Sequence, residues 1–232
     1  MKIVEIFKSV QGEGIRIGQP CIFIRFHGCN LQCPWCDTKY ALDGTYEETP
    51  INNIYNIIKE LPVPPTTVCL TGGEPLIQDH AELGALCEYL KWSGFEIHVE
   101  TNGLIVPSEK LLQLVDLWTI SPKINEYVEL YDTGKTSFCS LVHGNNNINI
   151  QMKFVVKNED DVVQIKEWLG DWSPLIVVQP ERYTFEEVGN QRLVYLENMK
   201  KLVVWCDRHL TGYDYRVLPQ LHYLVWPSKR GV

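Results

Sequence analysis

Three cysteines lie within eight residues near the start of the chain, in the stretch HGCNLQCPWCDT. Their spacing, Cys29-x3-Cys33-x2-Cys36, provides three thiolates, which are the ligands that iron–sulfur clusters prefer. A [4Fe–4S] cluster held by only three thiolates keeps one iron open to a substrate or cofactor. An open metal position is typical of a catalytic site. The spacing therefore predicts a catalytic [4Fe–4S] centre.

A structural zinc site is the alternative for these cysteines. Zinc usually takes paired C-x2-C units, or one such unit with two closely spaced histidines. The sequence has no second C-x2-C unit and no H-x3–5-H pair, so Cys69 or His27 would have to be the fourth ligand. The cysteines outside the cluster are expected to be small buried side chains of the core: Cys21, Cys69, Cys87, Cys139 and Cys206.

Strands and helices alternate along the chain and must position these residues. Patterning predicts strands at 21–28, 66–72, 95–101, 117–122, 148–157 and 174–180, with a last extended stretch at 215–221. It predicts helices at 50–61, 79–92, 108–115, 158–170 and 190–210.

Cap residues support several of these helices. Asp79 precedes the second helix with Glu82 three residues later, and Asn158 precedes an acidic first turn. Thr184 and Glu187 form a capping-box pattern before the last helix. The caps therefore support the helix starts that the periodicity predicts.

The alternation implies an α/β fold with a parallel sheet and right-handed crossovers. In such folds ligands bind at the C-terminal ends of the strands. Polar motifs follow four successive strands, namely the cysteines, TGGEP, ETNG and SPK. We expect one domain over residues 1–232, with a cluster loop at 29–38 and an irregular insertion at about 123–147.

Composition limits the classes of partner. The chain has 232 residues and a formal net charge of −8, without the basic stripe that nucleic-acid binding requires. No apolar run approaches the roughly 20 residues that span a bilayer, and the N-terminus has no signal-peptide pattern. A small-molecule partner is expected, with no nucleic acid and no membrane. Eight cysteines without a secretion signal favour reduced thiols in the cytoplasm.

Two motifs together resemble the radical S-adenosylmethionine (SAM) superfamily: the three cysteines with Trp35 between the last two, and TGGEP at 71–75. The resemblance implies an incomplete β/α barrel in which the open iron binds SAM. One-electron cleavage of SAM then gives a 5′-deoxyadenosyl radical that abstracts a hydrogen atom. In this comparison Gly72 and Gly73 let the backbone approach the methionine group of SAM, and Glu74 faces its ammonium.

Further stretches resemble one family over nearly the whole chain, 7-carboxy-7-deazaguanine synthase. This resemblance implies conversion of 6-carboxy-5,6,7,8-tetrahydropterin to 7-carboxy-7-deazaguanine with loss of ammonia, a step toward queuosine. It also implies Mg²⁺, an electron donor such as flavodoxin, and a homodimer. The stretches are SVQGEG (9–14), FIRFHGCNLQCPWCDT (23–38), TGGEP, HVETNG (98–103), SPK (121–123), KFVV (153–156) and RVLPQLH (216–222).

Arg25 lies in an apolar strand, where a charge is costly unless it is paired with an anion. Its planar fork matches a carboxylate, and the resemblance assigns the substrate's carboxylate to it. A buried pair with Glu13 or Glu100 is the alternative. Strand alternation places Glu96, His98 and Glu100 on one face, of which Glu96 and His98 are expected to face solvent.

The resemblance assigns roles to the remaining polar residues. Glu100 accepts hydrogen bonds from N–H groups of the pterin, and Thr38 binds Mg²⁺. Residues of the N-terminal loop contact the substrate, as do Thr71 and His222. Arg25, Glu100 and His222 are the predicted catalytic residues. Without the resemblance, Asp37 and Thr38 indicate only a turn. His222 would then be a histidine packed in the core, and Lys123 a charge exposed to solvent. The other assigned contacts are Gln11, Gly12, Glu13 and Gly14 for the substrate, and Trp35, Ser121 and Lys123 for SAM.

Two other functions remain open from the sequence. One is a different small radical SAM enzyme, such as a glycyl-radical activating enzyme. The other is a non-enzymatic binding module stapled by zinc or by an iron–sulfur cluster, which would require a closed set of protein ligands.

Overall fold

A computed structural model describes residues 1–61, 66–131, 137–143, 147–181, 191–226 and 231. The predicted capping box of Thr184 and Glu187 lies outside these described residues.

In the described residues nine strands form one sheet, in the order β3-β1-β2-β4-β5-β6-β7-β8-β9. Strand β2 and the strands from β4 to β9 run parallel to one another, whereas β1 pairs antiparallel with both β2 and β3. The prediction of an α/β fold with a parallel sheet is confirmed. The strands are β1 Lys2–Val10, β2 Pro20–Phe26, β3 Glu47–Glu48, β4 Thr67–Gly72, β5 Glu96–Thr101, β6 Leu117–Ile120, β7 Ile150–Val156, β8 Ile176–Pro180 and β9 Tyr215–Val217.

Helices connect the parallel strands. The longer predicted helices are confirmed, and two have the expected caps. Asp79 accepts hydrogen bonds from the backbone N–H groups of Ala81 and Glu82 at 2.9 Å, and Asn158 accepts one from Asp161 at 3.0 Å. The helices are α1 Tyr40–Asp43, α2 Ile51–Glu60, α3 His80–Trp92, α4 Glu109–Leu114, α5 Ile124–Tyr127, α6 Phe138–Val142, α7 Glu159–Leu169, α8 Gln191–His209 and α9 Leu221–Val225.

The sheet has one apolar face and one mixed face. Ile22, Ile24 and Phe26 of β2 are fully buried in the main core, which the helices share. Strand alternation turns Phe23 and Arg25 to the other face, where they line a cavity. The sheet therefore separates the core from a polar interior.

The sequence patterns miss β1, which lies between β2 and the short edge strand β3. Its residues alternate imperfectly, because both faces of KIVEIFKSV are only partly buried. The described part of the predicted irregular insertion contains the short helices α5 and α6. None of the helices in the described part of the chain combines the length and the apolar character needed to cross a membrane.

Candidate active site

A cavity of about 460 Å³ opens at the C-terminal ends of the parallel strands. All the site residues predicted from the sequence line it, except Gly14 and Glu74. One cavity therefore brings the cysteines together with the predicted substrate contacts. The predicted residues that line it are Gln11, Gly12, Glu13, Arg25, Cys29, Cys33, Trp35, Cys36, Thr38, Thr71, Gly72, Gly73, Glu100, Ser121, Lys123 and His222.

The turn after β4 fixes the start of the cysteine loop (residues 29–38). Gly73 N–H donates to the Phe26 carbonyl at 3.0 Å, and Glu74 N–H donates to the Gly28 carbonyl at 2.8 Å. A Cβ on Gly73 would lie 1.8 Å from the Gly28 carbonyl oxygen, and Gly72 has a φ of +125°. These glycines are therefore required by close packing between two backbone segments, besides any approach of a ligand.

Glu74, which the resemblance places against the ammonium of SAM, does not line the cavity, and its carboxylate is fully buried. It accepts hydrogen bonds from Leu76 N–H at 3.1 Å, Thr101 Oγ1 at 2.7 Å and Asn102 N–H at 2.7 Å. Burial raises the pKa of Glu74, and these hydrogen bonds oppose the rise. In this structure the side chain joins the turn after β4 to the end of β5.

The three thiols of the cysteine loop have few partners. Cys29 Sγ accepts from Leu31 N–H at 3.4 Å, and Cys36 Sγ lies 3.6 Å from Thr38 Oγ1. Burial raises the pKa of Cys29 and, despite the nearby Lys123 ammonium, raises that of Cys33 to about 11. The Cys29 and Cys33 thiols are therefore protonated at neutral pH until a metal displaces the protons.

The spacing of the thiols fits a multi-iron cluster better than one zinc ion. Ligands of a tetrahedral zinc at Zn–S distances of about 2.3 Å lie within about 4 Å of one another. Among described residues, a group whose ligand atoms all lie within 4.8 Å is formed by Glu13, Asp37 and His222, and not by the three cysteines. A [4Fe–4S] cluster, which spreads its ligands over separate irons, fits this donor set.

Glu100 is held in place by its neighbours on the interior face. Its Oε1 accepts from Gln11 Nε2 at 3.1 Å, and its Oε2 accepts from Thr71 Oγ1 at 2.8 Å. Three predicted substrate contacts from separate segments are thereby joined through one carboxylate.

Glu13 forms a buried ion pair with Lys153 that the sequence interpretation did not assign. Its Oε1 also accepts from Gln220 Nε2 at 2.6 Å. Burial alone would raise the pKa of Glu13, but the charges of Lys153 and His222 hold it well below its usual range. Burial likewise opposes the charge of Lys153, whereas Glu13 and Glu100 raise its pKa. Both groups are charged at neutral pH.

Oxygen donors gather near Thr38. Its hydroxyl donates to the Gly72 carbonyl at 3.4 Å. The adjacent Asp37 has its carboxylate within 4.8 Å of the Glu13 carboxylate and the His222 ring, and all four residues line the cavity. Hard oxygen ligands are those that Mg²⁺ prefers, so this donor set fits the predicted ion. His222 packs against Gly12, where a Cβ would lie 2.3 Å from its Nδ1.

Two lysines lie near the cysteine loop, and of these Lys123 lines the cavity. Lys123 Nζ donates to Ser121 Oγ at 2.7 Å, and burial together with the nearby Lys153 charge lowers the pKa of Lys123. The Lys157 ammonium lies 5.2 Å from the centroid of the Trp35 ring.

Besides Glu74, three details differ from the sequence interpretation. Arg25 is paired with Glu5, at 2.7 Å, and not with Glu13 or Glu100. His98 is buried at 2% exposure and contacts Glu96 at 3.0 Å, so the expectation that it faces solvent is wrong. Gly14, with a φ of +70°, does not line the cavity and packs against Gln151.

Several lining residues were missed by sequence reasoning. Lys153 had a usable signal, because a lysine in the apolar stretch KFVV needs a buried partner just as Arg25 does. Glu5, which contacts Arg25 without lining the cavity, had no such signal, since it lies in the strand that the patterning missed. The cavity also reaches Gln179 and Glu181, at and after the end of β8.

The comparisons with known proteins agree with this geometry. Residues 23–127 match the Radical SAM superfamily. The 7-carboxy-7-deazaguanine synthase of Pyrobaculum aerophilum is 32% identical over 100% of this chain and 97% of its own length. The synthase of Thermoplasma acidophilum is 30% identical over the full length of both chains. A crystal structure of QueE from Escherichia coli matches with a TM-score of 0.66 and 25% identity, covering 95% of this chain and 94% of that one.

Proposed function

The chain belongs to the 7-carboxy-7-deazaguanine synthase family, and we propose that it converts 6-carboxy-5,6,7,8-tetrahydropterin to 7-carboxy-7-deazaguanine with loss of ammonia. The observation that supports this substrate is the shared cavity. Three thiols on the cysteine loop line it together with Arg25, Glu100 and the Glu13–Lys153 pair. This combination offers a radical source beside groups that match a carboxylate and a pterin edge.

The cofactors are a [4Fe–4S] cluster and SAM, and the superfamily membership supports both. Cys29, Cys33 and Cys36 would hold the cluster. When bound, the cluster and SAM supply the 5′-deoxyadenosyl radical that abstracts a hydrogen atom from the substrate. Ser121, Lys123 and the Gly72–Gly73 turn lie beside the cysteine loop and would hold SAM.

The chain's own residues would bind and orient the pterin. Arg25 presents a guanidinium to the substrate's carboxylate. Glu100, fixed by Gln11 and Thr71, accepts N–H groups of the pterin edge. The Glu13 carboxylate stays ionised beside Lys153 and can accept a further N–H group.

His222 and Thr38 would complete the site. His222 lies 3.9 Å from Asp37, and both face the cavity next to Thr38. The hydroxyl of Thr38, with the Asp37 carboxylate, would hold Mg²⁺ against substrate oxygens. The ion would orient the substrate and stabilise developing negative charge.

The proposal extends to the partners of the enzyme. A one-electron donor such as flavodoxin would reduce the cluster. Exposed apolar side chains on one face of α8 support a homodimer. Eight cysteines without disulfides support a reducing compartment, the cytoplasm. The α8 side chains are Leu193, Leu196, Val203 and Val204, between 44% and 61% exposed.

Anaerobic reconstitution tests the proposed function. The protein, loaded with iron and sulfide, is incubated with SAM, a chemical reductant, Mg²⁺ and 6-carboxy-5,6,7,8-tetrahydropterin. We expect 7-carboxy-7-deazaguanine and 5′-deoxyadenosine by mass spectrometry. A brown, SAM-cleaving protein that forms 5′-deoxyadenosine but no deazapurine would contradict the substrate assignment. A colourless protein that binds zinc and not SAM would contradict the enzyme class.

A further inference from the structure

Glu5 lies behind the arginine that is proposed to bind the substrate's carboxylate. Arg25 Nε donates to Glu5 Oε1 at 2.7 Å, and the Tyr40 hydroxyl donates to the same oxygen at 3.0 Å. The side chains of Arg25 and Glu5 are only 13% and 16% exposed. This contact is therefore largely shielded from water. An ionic hydrogen bond is stronger in such a buried environment than in water.

A backbone irregularity places Glu5 opposite Arg25. Ile3 pairs with Phe26, so a regular antiparallel ladder would place Val4 opposite Arg25. The register instead shifts between Ile3 and Glu5, and Glu5 becomes the partner of Arg25. Irregularities of this kind commonly re-aim a side chain near a site. Strand β1 is thus built to bring this carboxylate to the interior face.

The contact with Glu5 uses only one side of the guanidinium. Within the described residues, the hydrogen bonds of Arg25 involve Nε alone, and its two Nη atoms have no such partner. The rings of Phe7 and Tyr40 each have their centroid 5.7 Å from Arg25 Cζ, which restricts the plane further. Arg25 lines the cavity. The Nη pair is thereby left for a ligand with two acceptor oxygens.

We infer that Glu5 is a positioning residue, which holds Arg25 by its Nε so that the two Nη groups face the substrate's carboxylate. This inference rests on the proposed function and adds a residue to it. Glu5 does not touch the substrate itself. It removes the rotational freedom of a long side chain before the substrate arrives, which lowers the entropic cost of binding.

The test compares Glu5→Ala and Glu5→Gln in the reconstituted enzyme. In Glu5→Ala we expect KM for the carboxy-pterin to rise about 10- to 100-fold, the range typical of residues that orient the ligands of a metal ion. We expect kcat, cluster absorbance and affinity for S-adenosylhomocysteine to stay at wild-type values. Glu5→Gln keeps an oxygen that can accept from Arg25 Nε, and should restore most of the lost affinity. Glu47→Ala, on the exposed strand β3 next to β1, is the matched control.

A double-mutant cycle separates positioning from a merely structural role. If Glu5 acts through Arg25, the Glu5→Ala change should add no further loss of substrate affinity in an Arg25→Ala background. Substrate binding is also measured without reductant, so that chemistry does not contribute. Unchanged affinity in Glu5→Ala would overturn the inference, as would full additivity with Arg25→Ala. A wild-type enzyme with an intact cluster that forms no deazapurine would instead contradict the proposed function.

Discussion

The cysteine loop and the opposing set of charged side chains line one cavity but are built in opposite ways. We define the substrate wall as Gln11, Glu13, Arg25, Glu100 and Lys153. Each of these side chains has a hydrogen-bond or ion-pair partner at 3.1 Å or less. In the cysteine loop, by contrast, the hydrogen bonds that involve sulfur are local and join residues no more than two positions apart in the chain.

The difference follows from the chemistry of the groups. A buried carboxylate or ammonium is costly without a partner, so the substrate wall must be paired before any ligand arrives. A thiol is neutral at neutral pH, particularly when burial raises its pKa as at Cys33. A buried thiol without a bound metal therefore costs the fold little free energy. The substrate wall is preorganised by the fold, whereas the cysteine loop is completed by its cluster.

The largest effect is expected from a substitution in the cysteine loop that leaves the substrate wall unchanged. Cys33→Ala should abolish cluster binding and activity together, because two thiolates do not hold the cluster. The substrate wall should remain folded, since none of its partners lies in the loop. The measurements are iron content, visible absorbance and the free energy of unfolding of the cluster-free protein.

The matched control is Cys206→Ala, a buried cysteine of α8 outside the site. It should keep the iron and the activity. If Cys33→Ala destabilised the cluster-free protein by several kcal/mol more than Cys206→Ala, the loop would not be independent of the wall.

The next largest effect is expected from a substitution in the substrate wall. Lys153→Met leaves the buried Glu13 without its main counter-charge, which should lower the free energy of unfolding by about 3–5 kcal/mol at pH 7. The loss should depend on pH. The pKa of Glu13 is depressed in the wild type, so its pairing stabilises the fold above an unfolded-state pKa of about 4.3 and is lost as pH falls further.

In the variant, burial without Lys153 favours the protonated form of Glu13. The difference between wild type and variant should therefore grow from pH 4 to pH 7, measured by denaturant unfolding. Lys200→Met removes the exposed pair of Lys200 and Glu197 and should change stability by less than about 1 kcal/mol. An equal, pH-independent loss of unfolding free energy in both variants would show that the buried pair of the substrate wall stabilises the fold no more than an exposed pair does.

Much of the fold could be predicted because the parallel strands alternate with amphipathic helices that begin at recognisable caps. Asp79 and Asn158 cap their helices as their positions indicate. Strand β1 could not be predicted in the same way. It pairs antiparallel with two neighbours and has a shifted register, so its burial pattern follows its partners rather than a simple period of two.

The cysteine loop was also easier to predict than the substrate wall. Its ligands are close in sequence, and their spacing alone indicates the chemistry. The wall depends on pairs far apart in sequence, such as Glu13 with Lys153 and Arg25 with Glu5. One sequence shows that a buried charge needs a partner, but not which of many carboxylates the fold brings to it.

A third prediction separates the two regions by ligand. Arg25→Ala should weaken binding of the carboxy-pterin by about 2–5 kcal/mol, because the substrate's carboxylate loses its charged partner. Cluster absorbance and SAM cleavage should persist. Substrate affinity measured without reductant is the test, and a tetrahydropterin without the carboxylate should show little difference between wild type and variant.

Arg208→Ala, at an exposed arginine of α8, is the control and should retain substrate affinity. If Arg25→Ala bound the carboxy-pterin as the wild type does, Arg25 would be a structural partner of Glu5 and not part of the binding site.

The smallest effect concerns Thr38, at the end of the cysteine loop. Its hydroxyl lies 3.6 Å from Cys36 Sγ and 3.4 Å from the Gly72 carbonyl. Thr38→Val removes one oxygen ligand while keeping the shape of the side chain, and should weaken activation by Mg²⁺ about tenfold, or about 1.4 kcal/mol. Thr38→Ser keeps the hydroxyl and should behave as the wild type. If Thr38→Val instead lost iron with an unchanged Mg²⁺ dependence, its hydroxyl would serve the cysteine loop, and the Mg²⁺ contact would have to lie with the neighbouring carboxylates of Asp37 and Glu13.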